Sequence, residues 1–180
     1  MKAKRASLLV AFSIFALISF AALGADRPPQ VLRLQGEELV LNGFGERELW
    51  WTDVYRCALY LPKQNMALHA VRHHSTPKAI TVRILFSDLP PNLPANWRPI
   101  LAEELNRELM GKLKLAYRRL EQNDRITFFY APRQGSTIWI NDKQILSDPG
   151  HGLMLGLVDQ WLGEQPVSKN LKRLLLRDTN

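Results

Sequence analysis

The pattern of apolar and polar positions over residues 41–62 predicts a turn followed by one long strand. Residues 42–45 contain Asn-Gly and a second glycine, which are typical of a turn, and an alternating segment follows them. Side chains two apart in a strand share a face. The face predicted here is mostly apolar and carries a cation near its start: Arg47, Leu49, Trp51, Asp53, Tyr55, Cys57, Leu59 and Leu61. A guanidinium in apolar surroundings needs an anionic partner. The partner of Arg47 is therefore either Asp53 or a ligand.

The rest of the pattern predicts an antiparallel sheet and three helices. Short apolar and β-branched runs indicate strands at residues 31–34, 39–41, 79–86, 125–131, 136–140 and 143–146. Apolar residues at helical spacing predict a long amphipathic helix from Asn96 to Leu120, a second helix around residues 153–162, and a last helix capped by Ser168. This order indicates an α+β domain, an antiparallel sheet covered on one face by helices.

The first residues have the layout of a secretory signal peptide. Three cations within residues 1–5 precede an apolar run from Ser7 to Leu23, and small residues suit cleavage after Gly24. We therefore expect a signal peptide at 1–24, one domain at 25–180, and a periplasmic or otherwise exported protein with no integral membrane segment after cleavage. The alternative is that the apolar run is retained as a membrane anchor.

Charge and cysteine content exclude some classes of function. Loss of the three N-terminal cations lowers the formal charge from +7 to +4, which is too little for a nucleic-acid footprint, and no nucleic acid is expected as a partner. Cys57 is the sole cysteine, so no internal disulfide can form, and its apolar neighbours predict a buried thiol.

No other cluster predicts catalysis, a metal or a cofactor. His69, His73 and His74 lie close together in a polar segment, but a metal site would need a further ligand and a shaped pocket. His151 stands beside glycines at a predicted helix start, where a capping or solvent-exposed role is favoured. The Trp50-Trp51 pair is interpreted as packing on both faces of the strand rather than as a ligand wall.

Three separated segments resemble the chalcone isomerase-like domains of exported bacterial proteins. They read GFGER…VYRCALYLP, DRITFFYAPRQGSTIWINDKQI and WLGEQPVSKNLKRLLL, and they occur in the family's order over nearly all of the chain after residue 24. The resemblance implies a chalcone isomerase-like fold, in which a ligand cleft lies between the sheet and the helices.

The resemblance also implies a candidate ligand site. Non-catalytic members of the family hold fatty acids with an Arg and a Tyr, and Arg47 and Tyr55 match those positions. The plant enzymes use a helix motif Tyr-x2-Lys-x3-Asn, whereas here Leu120 stands at the lysine spacing after Tyr117. The resemblance therefore implies a non-catalytic protein that binds a small amphipathic carboxylate such as a fatty acid.

Two other readings stay open at this point. One is an isomerase-type enzyme of unknown substrate that uses the same cleft. The other is an envelope interaction protein whose cleft is filled by its own bulky side chains and which has no ligand cavity.

Overall fold

A computed structural model describes residues 27–49 and 52–177 of the chain, except for the side chains at positions 48, 49, 52 and 53. The predicted signal peptide and the Trp50-Trp51 pair lie outside the described residues. Within the described ranges, no helix has the length and apolar character needed to cross a bilayer.

The described residues form seven strands and five helices, and they confirm the α+β class. In chain order these are β1 (Val31–Leu34), β2 (Glu37–Leu49), β3 (Thr52–Leu61), α1 (Leu68–Arg72), β4 (Lys78–Ile84), α2 (Arg98–Glu104), α3 (Arg107–Tyr117), β5 (Arg125–Ala131), β6 (Gly135–Ile140), β7 (Lys143–Asp148), α4 (Gly152–Leu162) and α5 (Lys169–Leu176).

Every strand pairs antiparallel with the next one in the chain, so the sheet order is β1 to β7. The sheet curls into a half-barrel. The turn between β1 and β2 meets the far edge of the sheet, where the Gln35 side chain donates to that of Gln144 at 3.3 Å and the Gln35 carbonyl accepts from Gln134 at 2.9 Å. The β1–β2 turn therefore lies close to β7, as expected for a curled sheet.

The main hydrophobic core lies between the sheet and the helices. Alternate residues of β3 and β4, such as Leu59 and Ile80, pack there with Trp161 of α4 and Leu171 of α5. A second, smaller cluster occupies the opposite face and includes Tyr60. This alternation is what a sheet with one helix-covered face requires.

The long strand predicted from residue 47 onwards is instead a β-hairpin. Residues 42–45 lie inside β2 rather than in a turn, and β2 pairs with β3 from Val40–Leu61 to Leu49–Thr52. The prediction was wrong because glycines can serve close packing as well as turns. A bulge at Asn42 marks the site: its side-chain amide donates to the Leu175 carbonyl at 2.7 Å, and its oxygen accepts from the Asn65 amide at 2.7 Å.

Gly43 and Gly45 let α5 lie directly on β2. A Cβ atom at Gly43 would lie 2.2 Å from the Leu174 carbonyl oxygen, and one at Gly45 would lie 2.6 Å from the Leu174 Cδ1 atom. No L side chain at Gly43 fits without a backbone shift, whereas at Gly45 the first obstacle is the end of a flexible side chain. The two glycines therefore set the distance between α5 and the sheet.

The long helix predicted from Asn96 to Leu120 is two helices, α2 and α3. Leu105 is extended, with φ −108° and ψ 133°, and the Asn106 side chain caps α3 by accepting from the Leu109 amide at 2.9 Å. The helical spacing of apolar residues continues across this break, so the pattern predicted one helix. Asparagine nevertheless favours helix caps over helix interiors. Asn96, the predicted cap, does not cap α2: Trp97 occupies the cap position, and the Asn96 side-chain amide donates to the Gln160 side chain at 3.1 Å.

The side chain of Lys78 is a charged group buried in the helix-covered core. Lys78 is fully buried, and its Nζ donates to the His73 carbonyl at 3.0 Å and lies 4.7 Å from the centre of the Tyr130 ring. The His151 Nε2 atom is 3.0 Å from the same Nζ, so this side chain neither caps α4 nor faces solvent freely. Burial lowers the pKa of Lys78 to about 8. Burial, together with the charges of Lys78 and the neighbouring histidines, lowers the pKa of His151 to about 4.

We expect Gly43→Ala to lower the free energy of unfolding by about 1–3 kcal/mol, the range for overpacking a tight site. Gly45→Ala should cost less, because the Leu174 side chain can rotate away. The matched control is Gly111→Ala in α3, where a Cβ meets nothing within 4 Å and should stabilise the protein by about 1 kcal/mol. Urea unfolding of the three variants measures these values, and a Gly43→Ala variant as stable as wild type would contradict the close approach.

We expect the free energy of unfolding of the wild type to contain a contribution that rises with pH between about 8 and 10.5. In that window the unfolded chain still binds the Lys78 proton and the folded chain has lost it. Lys78→Met should be more stable than wild type at pH 7 and should lack this rise. Urea unfolding of both proteins across the window gives the difference, and parallel pH profiles would contradict the lowered pKa.

Candidate functional site

The structure brings Arg47 and Tyr55 together, although not along one strand. They are register partners across the β2–β3 hairpin, and partners in an antiparallel pair present their side chains on the same face. That face is the helix-covered one, since Tyr55 packs against the main core. An irregularity in the pairing follows directly after Arg47, a position where bulges redirect side chains.

Arg47 contacts the connection between α4 and α5. Its Nη1 donates to the carbonyl of Val167, and its side chain is half-buried. Among the side chains that the structure describes, no carboxylate forms an ion pair with Arg47. The side chain of Asp53, the alternative partner, lies outside the described residues. A guanidinium has five N–H donors, so the one bond to Val167 leaves donors for an anion.

Tyr55 is held by Trp161 of α4. The indole Nε1 donates to the phenol oxygen at 3.2 Å. Burial and the neighbouring Cys57 raise the pKa of Tyr55 to about 12, against smaller lowering effects of the Trp161 hydrogen bond and Arg47. The phenol therefore stays protonated at neutral pH. Because its oxygen is the acceptor of the indole bond, its own O–H is available to donate.

Cys57, two residues further along β3, has no exposed surface, as the sequence predicted. Burial raises the pKa of its thiol well above the ordinary value. A thiol of this kind is neither a nucleophile nor a metal ligand at neutral pH. Its part in the site is to form an apolar wall beside Tyr55.

The arrangement suits recognition of an oxyanion by one charged and one neutral donor. Three cavities lined by described residues, of about 230, 250 and 170 Å³, do not include Arg47 or Tyr55 in their walls. The two donors lie at the edge of a packed core.

Two residues that complete the site were not singled out by the sequence reasoning. Trp161 orients the phenol, and Val167 supplies the carbonyl that holds Arg47. Both belong to the WLGEQPVSKN segment that carries part of the family resemblance. The resemblance of that segment to the family was the available sign that it belongs to the site. No residue pattern within it predicts that it contacts the β2–β3 hairpin.

Comparisons with known proteins agree with the fold of the chain. The solved structure of a fatty-acid binding protein from Arabidopsis thaliana is similar to this chain, with a TM-score of 0.50 and 16% identity over 81% of this chain and 95% of that one. At this identity the likeness shows the fold alone. No curated protein matches the chain. The family model described as chalcone isomerase-like matches residues 22–177, and the chain therefore belongs to the chalcone isomerase-like family and has its fold.

Proposed function

We propose that this protein binds a small amphipathic carboxylate, such as a fatty acid, with Arg47 and Tyr55 as the ligands of the carboxylate. The observation that carries the proposal is their register pairing on the helix-covered face, beneath the α4–α5 connection. The fatty-acid binding protein of the same fold supports the ligand class.

The head group would be held by a charge-assisted pair and one neutral hydrogen bond. Arg47 would donate to the carboxylate from its remaining N–H groups, and Tyr55 would donate its O–H. The charge-assisted hydrogen bonds from Arg47 would be stronger than the neutral one from Tyr55, and a guanidinium can bind both carboxylate oxygens. The Trp161 indole already donates to the Tyr55 oxygen. This bond favours the orientation in which the hydroxyl proton of Tyr55 points away from Trp161.

The tail would supply most of the affinity. At ~0.8 kcal/mol for each buried CH₂ group, a twelve-carbon tail contributes on the order of 9 kcal/mol before the costs of association. The tail would lie along α5, against the apolar side chains of the main core. Leu171 and Leu175 of α5 belong to that core, so the tail would lie beside them while α5 keeps its close contact with β2 at Gly43 and Gly45.

The competing reading is that Arg47 is a structural clamp for the α4–α5 connection. In that case its bond to the Val167 carbonyl is its whole role, and its removal changes stability alone. The two readings differ in what happens to ligand affinity, so affinity and stability must be measured on the same variants.

We expect Arg47→Ala to weaken binding of a fluorescent fatty acid by roughly 1.5–3 kcal/mol, the range for hydrogen bonds to a charged group. Arg47→Lys should recover part of this loss, because an ammonium cannot reproduce the guanidinium fork. Tyr55→Phe should weaken binding by about 0.5–1.5 kcal/mol, the value of one neutral hydrogen bond. Fluorescence titration at fixed pH and salt measures all three.

Matched controls separate the site from general effects. Arg133→Ala removes an exposed arginine in the β5–β6 turn, and Tyr117→Phe removes the hydroxyl of a buried tyrosine on α3. Both should bind as wild type does. If Arg47→Ala melts at a lower temperature yet keeps the wild-type affinity, Arg47 is a clamp and the proposal fails.

The proposal includes export, with the domain at residues 25–180 as the mature protein. The basic, apolar and small-residue layout of residues 1–24 supports it. We expect N-terminal sequencing of the protein from a cell envelope extract to begin at Ala25. Protein that starts at Met1 and stays in the membrane fraction would show instead that the segment is an anchor.

A further inference from the structure

Three arginines stand in a row on the sheet face opposite to the helices. Arg56 of β3 is the register partner of Arg83 of β4, and Arg83 is the register partner of Arg125 of β5. Neighbouring strands lie about 4.8 Å apart, so the row is ~10 Å long. Like charges directly opposite each other destabilise a sheet. A row of this kind therefore needs negative charge close to it.

Described side chains contact each arginine of the row. Glu46 extends the row on β2, and its Oε1 accepts from Arg56 Nε at 2.8 Å and from Arg56 Nη2. The Arg83 guanidinium donates to the Asn123 side chain at 3.0 Å. Arg125 contacts Asp142 at 3.4 Å, but the Asp142 side chain is 99% exposed, so water screens this pair strongly.

Arg125 stands at the end of the row, on β5. Its Nε is buried and has no hydrogen-bond partner among the described residues. The nearby Asp124 carboxylate is already bound by the Asn141 amide and by the Glu121 backbone N–H. A buried donor of a charged group that lacks an acceptor costs more than an ordinary unmade hydrogen bond.

A cavity of about 230 Å³ lies against this row. Its walls combine the three arginines and Arg27 with polar and apolar groups: Tyr60, Thr81, Pro28, Pro29, Leu32 and Ala58. The Tyr60 hydroxyl donates to the Pro29 carbonyl at 3.0 Å, which ties the segment before β1 across the cavity. The cavity is therefore a cationic recess with one apolar wall.

We propose that this cavity is a second ligand site, and that it binds a small phosphate-bearing molecule. The three guanidiniums would bind the phosphate, and the remainder of the molecule would lie on the apolar wall. This site is on the opposite face of the sheet from Arg47 and does not depend on the fatty-acid proposal.

The spacing of the arginines favours phosphate over a single carboxylate. A carboxylate has two oxygens in one plane and is matched by one guanidinium fork. A phosphate monoester offers three terminal oxygens in different directions and carries up to two charges, so it can accept from guanidiniums on adjacent strands. The shared chemistry fits both a soluble phosphomonoester and the headgroup of a short lipid.

The test is calorimetric titration of the full protein at low ionic strength with phenyl phosphate, and in parallel with dihexanoyl phosphatidic acid. We expect phenyl phosphate to bind and benzyl alcohol not to bind, because the alcohol lacks the anion. Tighter binding of the phosphatidic acid would assign the site to a lipid headgroup, and tighter binding of phenyl phosphate to a soluble ester. Binding of neither would overturn the proposal.

Variants locate the binding. Arg83→Gln and Arg125→Gln should each weaken phenyl phosphate binding about tenfold or more, as expected for a lost charge-assisted hydrogen bond. Arg133→Gln makes the same charge change on an exposed turn and should bind as wild type does. Equal loss in all three variants would show unspecific attraction and would contradict the site.

Backbone amide NMR of the wild type gives a test that does not depend on variants folding. Phenyl phosphate should shift the amides of Arg56, Thr81 and Arg125, and a fatty acid should shift those around Arg47 and Tyr55. Phosphate-induced shifts confined to the Arg47 hairpin would overturn the proposal while leaving the fatty-acid site intact.

Discussion

The close packing of α5 on β2 is the contact on which the rest of the site depends. Gly43 and Gly45 remove the side chains that would hold the helix away, and Asn42 ties the strand to the Leu175 carbonyl at the end of the helix. With α5 fixed in this way, the connection that precedes it passes over the hairpin, and the Val167 carbonyl meets Arg47. A change in the strand glycines would therefore move the candidate ligand site without touching either of its donors.

The two faces of the curled sheet use arginine in different ways. Under the helices a half-buried Arg47 stands beside a protonated phenol in an otherwise apolar core. On the other face, three arginines share a row with one carboxylate on the adjoining strand. Under the helices, burial would strengthen the attraction between Arg47 and a single anionic group. On the other face, repulsion between the neighbouring guanidiniums favours a ligand with several acceptor oxygens. The two proposals therefore concern chemically distinct anion sites on opposite faces of one sheet.

The sequence predicted the class of the fold because most strands have a clear alternation and α4 and α5 have clear apolar stripes. β5 was predicted with its observed bounds, and the Ser168 cap of α5 is present, with its oxygen accepting from the Leu171 amide at 3.2 Å. The β2–β3 hairpin was not predicted, since the alternation continues without a break from residue 47 to residue 61 and the glycines of β2 are typical of a turn. The break between α2 and α3 was missed for a similar reason, since the helical spacing of apolar residues continues past the capping residue Asn106.

Arg47 and Tyr55 were predicted as a pair by resemblance, and the structure places them together by a route that the strand pattern did not give. Their partners Trp161 and Val167 come from far along the chain, and such contacts follow from packing rather than from local sequence. The buried Lys78 and the arginine row were missed because both depend on strand register, which residue patterns fix poorly when a hairpin is misassigned.

The central claim is that a ligand carboxylate pairs with Arg47, and the most direct measurement is NMR of dodecanoic acid labelled with ¹³C at its carboxyl group. The account predicts a bound carboxyl resonance whose titration midpoint lies below that of free dodecanoic acid, because the guanidinium favours the ionised form. In Arg47→Lys a smaller lowering should remain, and in Arg47→Ala it should vanish. A bound carboxyl that titrates identically in wild type and Arg47→Ala would contradict the account.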